Sequence, residues 1–199
     1  DVLEMEHEML LKENPNIAKK IIGKLINRLP SKKFIKEEAS KTIGRRKVSE
    51  LKPHLYRRAE VKASKETGVL FNKGDIDGAI ESKKNERLNF ALFNAAVEEK
   101  ENYVKQLVFF RKLYRKDADI AKSRDLNYID AARAVLANFG LGKTERTAHD
   151  YLANVKKYDP GAYESLLVQI ESLPFKPKPL DELTVDEFKQ VSDLVNSLY

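Results

Sequence analysis

Six cations fall within fourteen positions: Arg45, Arg46, Lys47, Lys52, Arg57 and Arg58. Guanidinium and ammonium groups at that density can neutralise successive phosphates of a nucleic acid and release its counterions. Three of them precede or open a helical pattern, where the positive end of the helix dipole disfavours cations, so their placement points to a binding role. Glu50 and Glu60 lie close by and supply a competing use for the same charges as internal ion pairs. Other spacings also touch on chemistry. Gly140-Leu-Gly142-Lys143-Thr144 ends like a phosphate-cradling loop, but that loop needs a further glycine at position 137 and a strand ahead of it. Position 137 is Ala and a helical pattern precedes it, so Gly140 and Gly142 read as a helix stop and a turn.

Glu4 and His7 share a helix face at the i, i+3 spacing of carboxylate-histidine metal sites. No second Glu-x-x-His completes the set. His149-Asp150 lacks a serine in a nucleophile elbow. Cysteine is absent, which excludes disulfides, thiolate metal sites and cysteine nucleophiles. No cofactor, metal or catalytic residue is therefore expected. Residues 127–157 read as helix, turn, helix, with Thr144, Arg146, Thr147 and His149 near the start of the second helix. The pair carries almost no net positive charge, which weighs against groove reading.

These side chains sit on a chain that is 42% hydrophobic and 34% charged, the balance of long amphipathic helices. The net charge of +6 is uneven: residues 31–75 hold 13 Lys/Arg against 6 Asp/Glu, and residues 158–199 hold 3 against 8. No run of 18 apolar residues exists, so no membrane span is expected. The chain opens on Asp1, and the absence of an initiator Met gives the expectation of a piece of a longer polypeptide.

The periodicity predicts helices over 1–12, 17–29 and 31–43. A basic connector over 44–52 comes next. Pro53 suits the first turn of a helix running to Asn72, because its missing N–H costs nothing there. Gly74 is free to turn left-handed, and Asp75 can cap the succeeding helix. Ile76, Ala79, Ile80, Leu88, Leu92, Ala96, Tyr103, Leu107, Phe110 and Tyr114 then recur at helical spacing to about residue 116, a rod of about 60 Å. Shorter helices are expected over 127–138, 143–157 and 160–172. PFKPKP at 174–179 reads as a stiff extended linker. Thr184-Val-Asp-Glu187 is a capping box, with Leu183 and Phe188 as its hydrophobic staple. The expected architecture is all-α, an elongated helical bundle on an antiparallel hairpin of 53–72 and 75–116. Residues 1–173 would form one helical domain, 174–183 a linker, and 184–199 a terminal helix.

Gly68, Phe71, Gly74-Asp75 and Ala79-Ile80 resemble the small, aromatic and turn positions of a tetratricopeptide hairpin. The spacing is one residue short and no unit recurs 34 residues on, so a repeat array is not expected. A broader likeness covers residues 40–199 in order: IGRRKVSELKPHLYRRAEVKASKE, KGDIDGAIESKKNERLNFALFNAAVEE, YIDAARAVLANFGLG and PLDELTVDEFKQVSDLV. It resembles a helical region of the large polyvalent proteins of phages and conjugative elements, in which helicase, methyltransferase, peptidase or toxin modules share one chain. The resemblance implies a bacterial cytoplasmic or virion-associated setting. It implies as partners the other domains of a larger polypeptide or a separate protein. It transfers no catalytic residue. The resulting expectation is a non-enzymatic interaction or spacer module. Nucleic-acid binding through 45–58, or an enzyme with a scattered carboxylate site, are the alternatives.

Overall fold

Seven α-helices account for most of the residues described by the computed structural model, which are Gly23, 28–115, 126–142 and 145–198, with the backbone alone at 126–128 and 145. They are α1 (Lys32–Gly44), α2 (Pro53–Asn72), α3 (Ile76–Arg115), α4 (Leu126–Asn138), α5 (Glu145–Tyr158), α6 (Pro160–Glu171) and α7 (Val185–Leu198). Single 3-10 turns cover Val48–Glu50 and Leu180–Glu182. The fold is all-α, as expected; the helices expected over 1–12 and 17–29 lie almost wholly outside the described residues. No described helix is long and apolar enough to cross a membrane. The chain divides into two compact units, and they alternate in sequence: 1–41 with 52–95, and 42–51 with 96–199.

Small residues and local caps build the first unit. Ser31 Oγ accepts from the Phe34 N–H at 3.2 Å and starts α1. Pro53 opens α2, and Gly74, at φ 76°, closes it. That conformation costs glycine little because it has no Cβ to clash. Asp75 Oδ1 then accepts from the Gly78 N–H at 2.9 Å, capping α3. The Ala63 carbonyl of α2 accepts both its own helix's Thr67 hydroxyl, at 2.8 Å, and the Ser82 hydroxyl of α3, at 2.9 Å. Ala63, Thr67, Ala79 and Ser82 are all buried, so it is short side chains that let these helix backbones approach. Ile80 and Leu92 fill out the core, and buried Lys83 pairs with Glu86 at 3.0 Å.

In the second unit α4 is the central helix. Every residue from Ile129 to Ala137 is buried, including Asp130 and Arg133, and α4 packs on α5, α6 and α7. It ends in a left-handed glycine: Gly140 has φ 78°, and the Leu141 N–H returns to the Leu136 carbonyl at 3.1 Å. Asp159 caps α6 by accepting from the Ala162 N–H at 3.0 Å. Residues 174–179 are irregular and pinned to the unit. Phe175 meets Phe139 with ring centroids 6.1 Å apart, and Lys178 pairs with Glu187 at 2.8 Å. The capping box forms as the residue types dictate. Thr184 Oγ1 accepts from the Glu187 N–H at 3.2 Å, and Glu187 Oε2 accepts from the Thr184 N–H at 2.9 Å. Leu183 and Phe188, the staple pair, are both buried.

One contact ties the connector to the far end of the chain. The Val48 N–H donates to the Leu183 carbonyl and the Val185 N–H to the Arg46 carbonyl, both at 2.9 Å. Together they make an antiparallel bridge centred on Lys47 and Thr184.

Candidate functional site

All six cations of the basic cluster are exposed, and the structure divides them. Arg45, Arg46 and Lys47 belong to the second unit; Lys52, Arg57 and Arg58 belong to the first. Two are already engaged. Lys47 donates to Glu182 at 2.9 Å. Arg57 pairs with Glu60 and lies over the Phe93 ring, 5.9 Å from its centroid. Other charged positions of the resemblance also form internal pairs: Lys84 with Glu81 at 2.6 Å, and Arg133 with Asp130 at 3.5 Å.

The hydrogen bond and the charge of Lys47 hold the Glu182 carboxyl below its ordinary value, and the same pair raises Lys47. For Glu187, burial pushes upward, but hydrogen bonds from Lys178 and the Thr184 N–H outweigh it, leaving the carboxyl lowered. A carboxyl lowered in the folded state contributes stability that is complete above the ordinary value of 4.5. That contribution is lost as pH falls through the lower folded value. Glu187→Gln is therefore expected to lower the urea midpoint at neutral pH. The gap from wild type should close under acid, when both side chains are neutral. Thr184→Ala, which removes the cap itself, is expected to cost about 1 kcal/mol at every pH. A Glu187→Gln gap that persists unchanged at low pH would contradict the assignment.

The remaining sequence candidates take structural or peripheral places. His54 and His149 are exposed, on α2 and α5. Gly140 ends α4, and Gly142 packs so closely on the Tyr114 hydroxyl that a Cβ there would collide with it. Lys143, Thr144, Glu4 and His7 lie outside the described residues. Among the described residues, no group of three or more His, Cys, Asp or Glu side chains is placed to hold a metal ion.

The second unit also contains a groove that the motifs did not indicate. A groove of about 190 Å³ runs between the later half of α3 and α7. Glu99, Asn102, Tyr103 and Gln106 of α3 form one wall. They recur at i, i+3, i+4 and i+7, a single helix face. Lys189, Ser192, Asp193 and Asn196 of α7 form the other by the same spacing, with Phe188 beside them. Lys189 crosses to Glu99 at 2.5 Å, and the Tyr103 and Phe188 rings meet edge-on with centroids 4.8 Å apart. Burial pushes the Tyr103 phenol up, Asp181 adds to this and Arg111 partly offsets it, so the hydroxyl stays protonated.

Two polar atoms in these walls, Gln106 Oε1 and Ser192 Oγ, are buried without a hydrogen-bond partner. Buried polar groups are normally paired, because leaving one bare forfeits its hydration. The sequence did carry a faint signal of this. Gln106 interrupts the apolar run of Tyr103, Leu107 and Phe110, and Ser192 interrupts Phe188, Val191 and Val195. One polar residue in an apolar stripe is common enough that neither stood out alone. No family model, curated protein or solved structure matches the chain.

Proposed function

We propose that this chain is a non-catalytic helical interaction module of a larger phage or mobile-element polypeptide, and that α2 carries its recognition face. The observation behind this reading is one stripe. Leu55, Arg58, Lys62, Lys65 and Val69 succeed one another at i, i+3, i+7, i+10 and i+14, and every one is exposed. Leu55 is 50% and Val69 52% exposed, although smaller residues such as Ala63 and Thr67 fill the buried side of the same helix. Two large apolar side chains bracketing three cations complement an acidic amphipathic helix. Its carboxylates would meet Arg58, Lys62 and Lys65, and its apolar residues would cover Leu55 and Val69. A neighbouring domain of the same polypeptide is the partner this reading names.

The nucleic-acid alternative uses cations but has no role for Leu55 and Val69, and two of its six charges are engaged internally. A single set of titrations separates the readings. The full chain is titrated with a labelled helical peptide of alternating Glu and Leu turns, and with duplex DNA, each at two salt concentrations. We expect the peptide to bind and Leu55→Asp to weaken it more than tenfold, the loss corresponding to one apolar side chain of about 1.5–3 kcal/mol. Absence of peptide binding overturns the reading. Salt-sensitive DNA binding that is indifferent to Leu55→Asp establishes the alternative.

A further inference from the structure

We propose that the outer face of the later half of α3 pairs with the same face of a second copy of this chain, the two helices running antiparallel. Val97, Glu101, Val104, Val108, Arg111 and Arg115 fall at i, i+4, i+7, i+11, i+14 and i+18. That alternation of four and three is the seam spacing of a two-stranded helical pair. At about 100° per residue the seam lies half a turn round α3 from Glu99, Tyr103 and Gln106, which face α7. All six residues belong to the second unit. Val97 is half-buried and the other five are exposed. Val104 is 51% and Val108 49% exposed, so the middle of the seam offers two apolar side chains one turn apart.

The valines alone would accept any apolar helix; the charges decide which. In an antiparallel pair centred between Val104 and Val108, each Val104 meets Val108 of the second copy. One layer outward, Glu101 meets Arg111 of the second copy. At the ends Arg115 lays its alkyl stem over Val97 and keeps its guanidinium in water. On one flank Glu98 comes opposite Lys112, and both are exposed. Twofold symmetry makes each of these contacts twice, so one sequence supplies both halves of every opposite-charge pair. A parallel pair in register would instead set Glu101 on Glu101, Arg111 on Arg111 and Arg115 on Arg115, and like charges at each layer repel. The charge pattern therefore selects orientation as well as partner. Lys105 meets its own counterpart near the axis, where its long stem carries the ammonium out to water. The contact closes on itself, giving a dimer and not a filament. From Val97 to Arg115 the seam is about 27 Å long. A contact this short falls in the weak, transient class, with a dissociation constant of about 100 µM. The face is separate from the α2 stripe, so either reading fails without the other.

The test is sedimentation equilibrium of the 199-residue chain between about 10 µM and 1 mM. We expect a reversible monomer–dimer equilibrium. Glu101→Arg and Arg111→Glu each turn two opposite-charge contacts into like-charge ones, and each should weaken the dimer about tenfold or more. Both positions are exposed, so helix content by circular dichroism should not change. Mixing the two single variants is the decisive measurement. In the mixed pair Arg at 101 meets Glu at 111 on one side, and the native Glu101 meets the native Arg111 on the other. Dimer strength should return to that of the unmodified chain, and the double variant should dimerise equally well. A chain that stays monomeric to about 1 mM overturns the proposal. So does a dimer indifferent to both single variants, which would place the contact elsewhere or make it parallel. Failure of the mixture to recover overturns the pairing of 101 with 111.

Discussion

Arg133→Met is expected to destabilise the second unit by about 3–5 kcal/mol, the cost of breaking a buried charged network from one side. Arg133 is 3% exposed on the central helix α4. Its Nε–H donates to the Leu113 carbonyl at 3.0 Å and one terminal nitrogen to the Tyr114 carbonyl at 2.6 Å. Those carbonyls belong to the last turn of α3, where a helix has no N–H of its own left to offer. The guanidinium therefore caps α3 from another helix, and its positive charge sits at the negative end of the α3 dipole. It also lies 5.2 Å from the Tyr151 ring centroid and 6.0 Å from that of Tyr114. Methionine fills similar volume but leaves two carbonyls unmet and takes the cation from Asp130. Lysine should recover only part of the loss, because a single ammonium cannot reproduce the two-pronged geometry. Urea unfolding followed by circular dichroism and by amide exchange at residues 113–115 measures the effect. A cost below about 1 kcal/mol would show that the cap contributes no more than an exposed pair.

Phe110→Ala is expected to cost a similar amount, about 3–5 kcal/mol, for a different reason. The Phe110 side chain is fully buried, and its ring lies 6.1 Å from that of Phe188. Phe188 in turn meets Tyr103 and is the inner half of the staple that sets the entry angle of α7. Truncation leaves a cavity beneath α7, and the surrounding helices can close it only in part. Phe110→Leu, which keeps most of the volume, should lose far less, about 1.5 kcal/mol or under. Near-equal losses for the two variants would mean that the site collapses freely and that the aromatic cluster does not hold α7.

The contrast between these two residues shows what the sequence discloses. Phe110 falls on the helical stripe of α3, and burial follows from period alone. Pro53, Gly74-Asp75 and the Thr184–Glu187 box are equally local: each fixes one backbone event within a few residues, and each occurs where its chemistry demands. Arg133 is the opposite case. In YIDAARAVLAN an arginine three residues after an aspartate reads as an ordinary ion pair. Its partners at 113 and 114 are set by how α4 packs, which no local signal encodes. The groove was hidden for the same reason, since Gln106 and Ser192 acquire meaning only when their helices meet. The unit boundary inside α3, between Ala95 and Ala96, left no trace either, because the apolar period runs through it unbroken.

The bridge between residues 46–48 and 183–185 has a consequence for how the chain is made. Lys47 leaves the ribosome 135 residues ahead of Glu182. At ordinary synthesis rates of about 5–20 residues per second it waits roughly 7–27 s for its partner. During that interval the connector has no far segment to pair with, while the segments of the first unit are already complete. The nascent chain thus emerges with residues 52–95 made and its earlier connector still unpaired, and the segment that enters α7 is the one that latches it.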